Sequence, residues 1–95
     1  MQNLIISLEI EAKLPNKHQL RREDVERAFM NRDGNCLQGT RAQHLTDPIT
    51  EWFIAENNRG VRIKVAFVPI DGKLNLRTAY PANEAEIRIY EKLAY

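Results

Sequence analysis

The stretch TEWFIAENNRGVRIKVAFVPIDGKLNLRTAY, residues 50–80, decides the architecture. Two turn signals, Asn57-Asn58-Arg59-Gly60 and Asp71-Gly72, divide it into three apolar-rich runs of strand length. The Asp-Gly pair is a strong hairpin signal, because a two-residue type I′ turn needs positive φ at both central positions. Strands are expected near residues 51–56, 61–68 and 73–80. With Asp71-Gly72 as the loop, Ile63, Val65 and Phe67 fall opposite Tyr80, Thr78 and Leu76, and side-chain alternation puts all six on one core face. Closing residues 57–60 symmetrically sets Ile54 opposite Ile63 and Trp52 opposite Val65. Trp52 and Tyr80 then read as packing residues.

The same arithmetic collects Phe53, Ala55, Arg62, Lys64, Ala66, Asn75, Arg77 and Ala79 on the opposite face. Between residues 59 and 77 the chain carries Arg59, Arg62, Lys64, Lys73 and Arg77 against the single acid Asp71. Cations interspersed with small alanines, and with Phe53 as a stacking surface, suit a phosphate backbone and an unstacked base. Alternatively, the long basic side chains lie over a half-apolar solvent face with their charges in water.

Outside this block, Asn83 with Glu86 three residues on makes a capping box for a helix over residues 84–94, carrying Ile87, Tyr90 and Ala94 on one side. Upstream, Val25, Ala28 and Phe29 form one stripe of a helix over residues 22–32, with Glu23 and Asp24 at its positive end and Gly34 as its stop. Residues 4–14 are ambiguous: Leu4, Ile6, Leu8, Ile10, Ala12 and Leu14 alternate as in a strand, while Ile6, Ile10 and Leu14 recur at helical spacing. Pro15 is expected to end either version. Residues 35–50 show no period, and a connection of that length in a small domain usually binds or covers something.

The whole is expected to be one α+β domain of residues 1–95: N-terminal helices, a three-stranded antiparallel meander and a C-terminal helix. At 43% hydrophobic and 28% charged residues the composition is that of a globular chain rather than a disordered or fibrous one. Ninety-five residues are too few for a doubly wound nucleotide fold. The net charge of +1 gives no global pull toward nucleic acid or lipid, so such a partner has to be recognised locally. The single cysteine, Cys36, fits a reducing compartment, and no apolar run has the length of a signal peptide or membrane span. The chain reads as cytoplasmic, without a membrane partner. Two histidines and scattered carboxylates lack zinc-ligand spacing and there is no glycine-rich phosphate loop, so neither metal nor cofactor is expected.

Several segments carry a family resemblance: KHQLRREDVERAFMNRDG (17–34), TRAQHLTDP (40–48), and the strand block with its RTAYPANE (77–84) and Glu-rich terminal helix. Together they resemble the BrnT-like proteins among the RelE-type ribonuclease toxins of bacterial toxin–antitoxin systems, over about four fifths of the chain. The wording NRDG, TRAQHLTDP, WFIAE and RTAYPANE is also similar to small bacterial proteins labelled ADP-ribosyl-(dinitrogen reductase) hydrolase. That label implies an ADP-ribose pocket and acidic metal ligands, which a chain this short with no acidic cluster on its expected open face does not offer. The BrnT-like resemblance implies a helix rather than a strand before the Lys17-His18 pair, near residues 7–14.

It further implies metal-independent attack of a ribose 2′-hydroxyl on the adjacent phosphate. Such a reaction needs a base, fixed positive charge and a donor to the leaving 5′-oxygen. Arg62 and Arg77 are the candidates for phosphate stabilisation, since Arg grips phosphate with two parallel donors. Lys17 and His18 come from the family pattern as candidates for proton transfer, and His44 is a second imidazole that titrates near neutrality. Lys64, Arg41, Phe53 and Tyr90 complete the candidate RNA contacts, Tyr90 being equally readable as a helix-to-sheet anchor. Arg41 with Asp47-Pro48 also reads as a loop-fixing turn. The competing class is a toxin-like binding module without catalysis, engaging an antitoxin or a second copy of itself. Near-neutral charge favours that class.

Overall fold

The computed structural model describes residues 1–39 and 49–95. Three helices and a five-stranded mixed sheet make an α+β fold with the element order β1 (Leu4–Ile5), α1 (Leu8–His18), α2 (Arg22–Asn31), β2 (Leu37–Gln38), β3 (Glu51–Glu56), β4 (Arg62–Ile70), β5 (Lys73–Pro81) and α3 (Glu84–Leu93). The strand order is β1-β5-β4-β3-β2, with β1 parallel to β5 and the other neighbours antiparallel. The sheet thus has two short edge strands beyond the three expected. One comes from the ambiguous N-terminus and one from the long connection.

Residues 4–14 divide between both of their periodicities. Leu4 and Ile5 pair with Leu74 and Asn75, and Ser7 then caps α1 by accepting the Ile10 N–H at 3.3 Å. Pro15 does not end this helix. Its ring sits on the exposed side, where the carbonyl it leaves unpaired, that of Glu11, meets solvent, so α1 runs on to His18. The stop is Gln19 in the left-handed region at φ 55°, after which Leu20 donates its N–H to the Leu14 carbonyl at 3.0 Å. Helix α2 ends at Asn31 without help from Gly34. Gly34 is required elsewhere: a Cβ there would stand 2.8 Å from the Tyr90 hydroxyl and 3.0 Å from Ala94 Cβ, so only glycine lets the chain pass α3.

The Asp71-Gly72 hairpin forms as expected, at φ 50° and 75°, closing the pair Ile70 and Lys73. Beyond it the register departs from symmetry. Phe67 pairs with Leu76, but Ala66 pairs with Thr78, so Arg77 is an extra residue in a β-bulge. Past the bulge Val65 faces Ala79 and Lys64 faces Tyr80. The turn between β3 and β4 holds five residues, not four, because Asn57 N–H bonds the Val61 carbonyl and Glu56 pairs with Arg62. This sets Phe53 opposite Val65 and Ala55 opposite Ile63.

The core face therefore comprises Phe53, Ala55, Ile63, Val65, Phe67, Leu76 and Ala79, all buried. Helix α2 packs there through Phe29, whose ring centroid lies 4.8 Å from that of Phe53 and 5.3 Å from that of Phe67. Trp52, Ile54, Arg62, Lys64, Thr78 and Tyr80 take the other face by alternation. That face is not open, because α3 covers part of it with Ile87, Tyr90 and Ala94. No described helix is long and apolar enough to cross a membrane.

Candidate functional site

The bulge at Arg77 and the five-residue turn together bring Lys64, Trp52 and Tyr80 onto the face that α3 approaches. Lys64 Nζ stands 4.5 Å above the Trp52 ring and 5.9 Å from the Tyr80 ring, and donates to Glu86 Oε2 at 3.1 Å. The Tyr80 hydroxyl donates to the same carboxylate oxygen. Glu86 Oε1 meanwhile accepts the Asn83 N–H at 3.1 Å, and Asn83 Oδ1 accepts the Glu86 N–H at 2.8 Å, which is the capping box expected at the start of α3. One carboxylate thus caps the helix and ties it to the sheet. From the far side His18, the last residue of α1, sets its ring 5.7 Å from that of Tyr80 at 41°.

The electrostatics follow from these contacts. Burial pushes the Tyr80 phenol up, and its hydrogen bond to Glu86 adds to this, reaching about 12, so it stays protonated at neutral pH and keeps its O–H as a donor. Burial also pushes the Glu86 carboxyl up, but hydrogen bonds from Tyr80, the Asn83 backbone and Lys64, with the Lys64 charge, outweigh it and hold the group below its ordinary 4.5. A carboxylate depressed in the folded state stabilises the fold above its unfolded value and ceases to do so as pH falls through its folded value. Denaturant titrations should therefore show stability falling below about pH 4.5, with Glu86→Gln flattening that acid limb. Part of the fall should survive in the variant, since the N-terminal ammonium holds Glu26 low in the same way. An acid limb unchanged by Glu86→Gln would show that the carboxylate is not tied to the sheet.

The candidate residues read from sequence separate into groups. His18 and Lys64 meet in the cluster around Tyr80 and Glu86. Arg62 begins β4 on the same face and pairs with Glu91 of α3 at 3.6 Å, both side chains more than half exposed. Arg77, in the bulge, lies roughly 15 Å of strand away from Arg62, so the two arginines do not converge on one phosphate. Among the described residues no carboxylate pairs with Arg77 or Lys17, and both are exposed. Phe53 has no exposed surface and cannot stack on a base. Tyr90 is 2% exposed and donates its hydroxyl to the Asn35 carbonyl at 2.9 Å, so it anchors α3 rather than meeting RNA directly. Arg41, His44 and Asp47-Pro48 lie outside the described residues.

No protein-family model matches the chain, and no curated protein matches it significantly. What the cluster does has to be read from its chemistry. Among the described residues no three His, Cys, Asp or Glu side chains are grouped to hold a metal ion. Two surface grooves among the described residues do not include His18, Lys64 or Tyr80. One, of about 360 Å³, runs between α3 and the β3–β4 end past Ile54, Arg62, Tyr90 and Glu91. The other, of about 520 Å³, lies beside the α1–α2 junction with Arg21, Arg27 and Arg59 on its walls. The cluster itself is a shallow, half-buried set of donors, a protonated phenol, an ammonium and an imidazole, beside one carboxylate. Such a set can hold an anion and move a proton.

Tyr80 and Glu86 are the members that sequence reasoning missed. A regular hairpin puts Tyr80 in the core, and only the bulge turns it outward. The Asn83–Glu86 spacing announces a capping residue, which Glu86 is, and says nothing of its bonds to Lys64 and Tyr80.

Proposed function

We propose that the protein is a cytoplasmic, metal-independent endoribonuclease of the toxin type, BrnT-like and RelE-related in plan. The observation that carries this reading is the contact between His18 and Tyr80. These residues belong to the two motifs that bear the resemblance, Lys-His before α2 and Arg-Thr-Ala-Tyr at the end of β5, 62 positions apart in the chain. The helical segment before Lys17 and the sequence of elements through α3 are in keeping with it.

In this reading RNA lies across the end of β5. His18 takes the proton of the 2′-hydroxyl as that oxygen attacks the adjacent phosphorus, and the P–O5′ bond breaks as the 5′-oxygen takes a proton from water, giving a cyclic phosphate and a free 5′-hydroxyl; the imidazolium then returns its proton to the solvent. Tyr80, held protonated, donates its one O–H to a phosphate oxygen where Glu86 yields it. Lys17 and Arg77 supply exposed positive charge for the backbone, and Lys64 adds to it where its carboxylate partner yields. Arg41 and His44 remain further candidates by resemblance alone.

A second reading has its own observation. Glu86 and Glu91 already neutralise Lys64 and Arg62, which lowers the positive charge this face offers to RNA. That suits a toxin-like module that binds an antitoxin or a second copy without cutting anything. The test is a denaturing gel of mixed cellular RNA in excess EDTA, with wild type beside His18→Ala, Arg77→Ala and Arg62→Ala proteins checked for folding by circular dichroism. Cleavage by the wild type, cut at least about tenfold in the His18 and Arg77 variants, is expected. No cleavage, or equal cleavage by all four proteins, would overturn the ribonuclease and leave the binding module.

A further inference from the structure

Helix α3 is held to the sheet by few apolar groups. Tyr90 and Ala94 are buried and Ile87 is half-buried, while Ile89 and Leu93 point to solvent. Hydrogen bonds from Tyr80 to Glu86 and from Tyr90 to the Asn35 carbonyl add to these, and two ion pairs are aimed at the sheet cations of this face, Lys64 by Glu86 and Arg62 by Glu91. These cations are two residues apart on one strand, hence on one side and about 7 Å apart along it.

The Glu86 contact has the form of an anion site. A single oxygen, Oε2, receives both the Lys64 ammonium and the Tyr80 hydroxyl, as a phosphate oxygen would. Beneath the ammonium lies the half-buried Trp52 ring, whose centroid is 5.7 Å from that of Tyr90. Releasing Oε2 need not unravel the helix, because the cap uses the other oxygen, Oε1. The Lys64–Glu86 pair, with side chains 22% and 17% exposed, is better shielded than Arg62–Glu91 at 51% and 59%, so Glu86 should hold most of the effect.

We propose that α3 is an acidic clamp on the nucleic-acid surface, in which Glu86 and Glu91 occupy the places of RNA phosphates on Lys64 and Arg62. Single-stranded RNA gains those two cations by displacing the carboxylates. This deepens the ribonuclease reading and rests on it. The resting protein is accordingly self-inhibited.

The probe is a short single-stranded oligonucleotide carrying 2′-O-methyl groups, which removes cleavage from the measurement. Its affinity is read by fluorescence anisotropy, with the emission of Trp52, the sole tryptophan, as a second signal from the clamp. Glu86→Gln keeps an oxygen for the cap and is expected to tighten binding about tenfold, and Glu86→Gln with Glu91→Gln further, with a salt slope steeper by about 0.7 per freed cation. Glu84→Gln removes the same charge from α3 but from a carboxylate paired with Arg88, and should change affinity far less. The gain should vanish when Lys64→Ala is added to Glu86→Gln. Equal affinities across the series, an equal gain in Glu84→Gln, or a gain that survives Lys64→Ala would overturn the clamp while leaving the ribonuclease in place. Absence of binding by every variant would overturn both.

Discussion

Replacing Phe53 by alanine is expected to remove about 3–5 kcal/mol of folding stability. The side chain has no exposed surface and lies on the core face of the sheet, opposite Val65 of the central strand. Its ring meets Phe29 of α2 at 4.8 Å and Phe67 at 6.1 Å, both edge-on at 62° and 67°. Truncation therefore loses the transfer of a whole aromatic ring, empties space that a sheet and a helix cannot both close, and removes two aromatic contacts. A small domain has about 5–15 kcal/mol in all, so the loss is a large share of it. Urea denaturation followed by circular dichroism measures it, read as a lower midpoint at unchanged slope. The same substitution on a solvent-facing strand position would change stability by only about 0.5 kcal/mol. A result near that smaller value would mean that β3 is turned over, with Trp52 inward and Phe53 available to a ligand.

That contrast locates what the sequence could and could not reveal. The strands were legible because Asp71-Gly72 and the Asn57 to Gly60 run punctuate them, and α2 and α3 because an apolar stripe and a capping box mark them. Their faces were not legible. Trp52, Phe53, Ile54 and Ala55 are four apolar residues in succession, so alternation cannot choose which pair faces α2, and a four-residue loop chooses the wrong one. On β5 the bulge at Arg77 reverses Thr78 and Tyr80 relative to a regular hairpin, and a lone arginine in a strand announces no bulge. One extra residue, in the β3–β4 turn for β3 and in the bulge for β5, is enough to turn the affected side chains to the other layer. The same two irregularities account for the site. His18 and Lys64 were identifiable as chemically useful residues, but Tyr80 joins them only through the bulge. Glu86 reaches Lys64 only because α3 lies on the face that a four-residue turn had left open. The Lys-His pair was likewise visible, whereas its place at the end of a helix depended on Pro15 being tolerated on the exposed side of α1.

Asn57→Ala is expected to cost about 1–3 kcal/mol, because it leaves two partly buried turn donors without their acceptor and removes the link to Asp24. Asn57 is 3% exposed, the one buried polar residue among those described. Its Oδ1 accepts the N–H groups of Arg59 at 2.9 Å and Val61 at 3.0 Å, which fold the five-residue turn around the side chain. Its Nδ2 donates to Asp24 Oδ1 at 3.0 Å, and Asp24 Oδ2 in turn accepts the Arg21 N–H at 2.9 Å in the first turn of α2. The side chain therefore fixes the turn length and joins that turn to the helix that covers Phe53. Alanine deprives two backbone donors of their acceptor and leaves Asp24 with only the exposed Arg59 guanidinium, at 3.1 Å, on that oxygen. Asn57→Asp separates these effects. It retains an acceptor for the turn but brings a second carboxylate to about 3 Å from that of Asp24, a repulsion that protonation relieves. Its stability should lie well below wild type at neutral pH and approach it as the pH falls through the carboxylate range. Alanine should show no such recovery. If both variants unfold at the wild-type urea concentration, the turn is held by its backbone alone, and the register that sends Phe53 inward and Lys64 toward Glu86 has another cause.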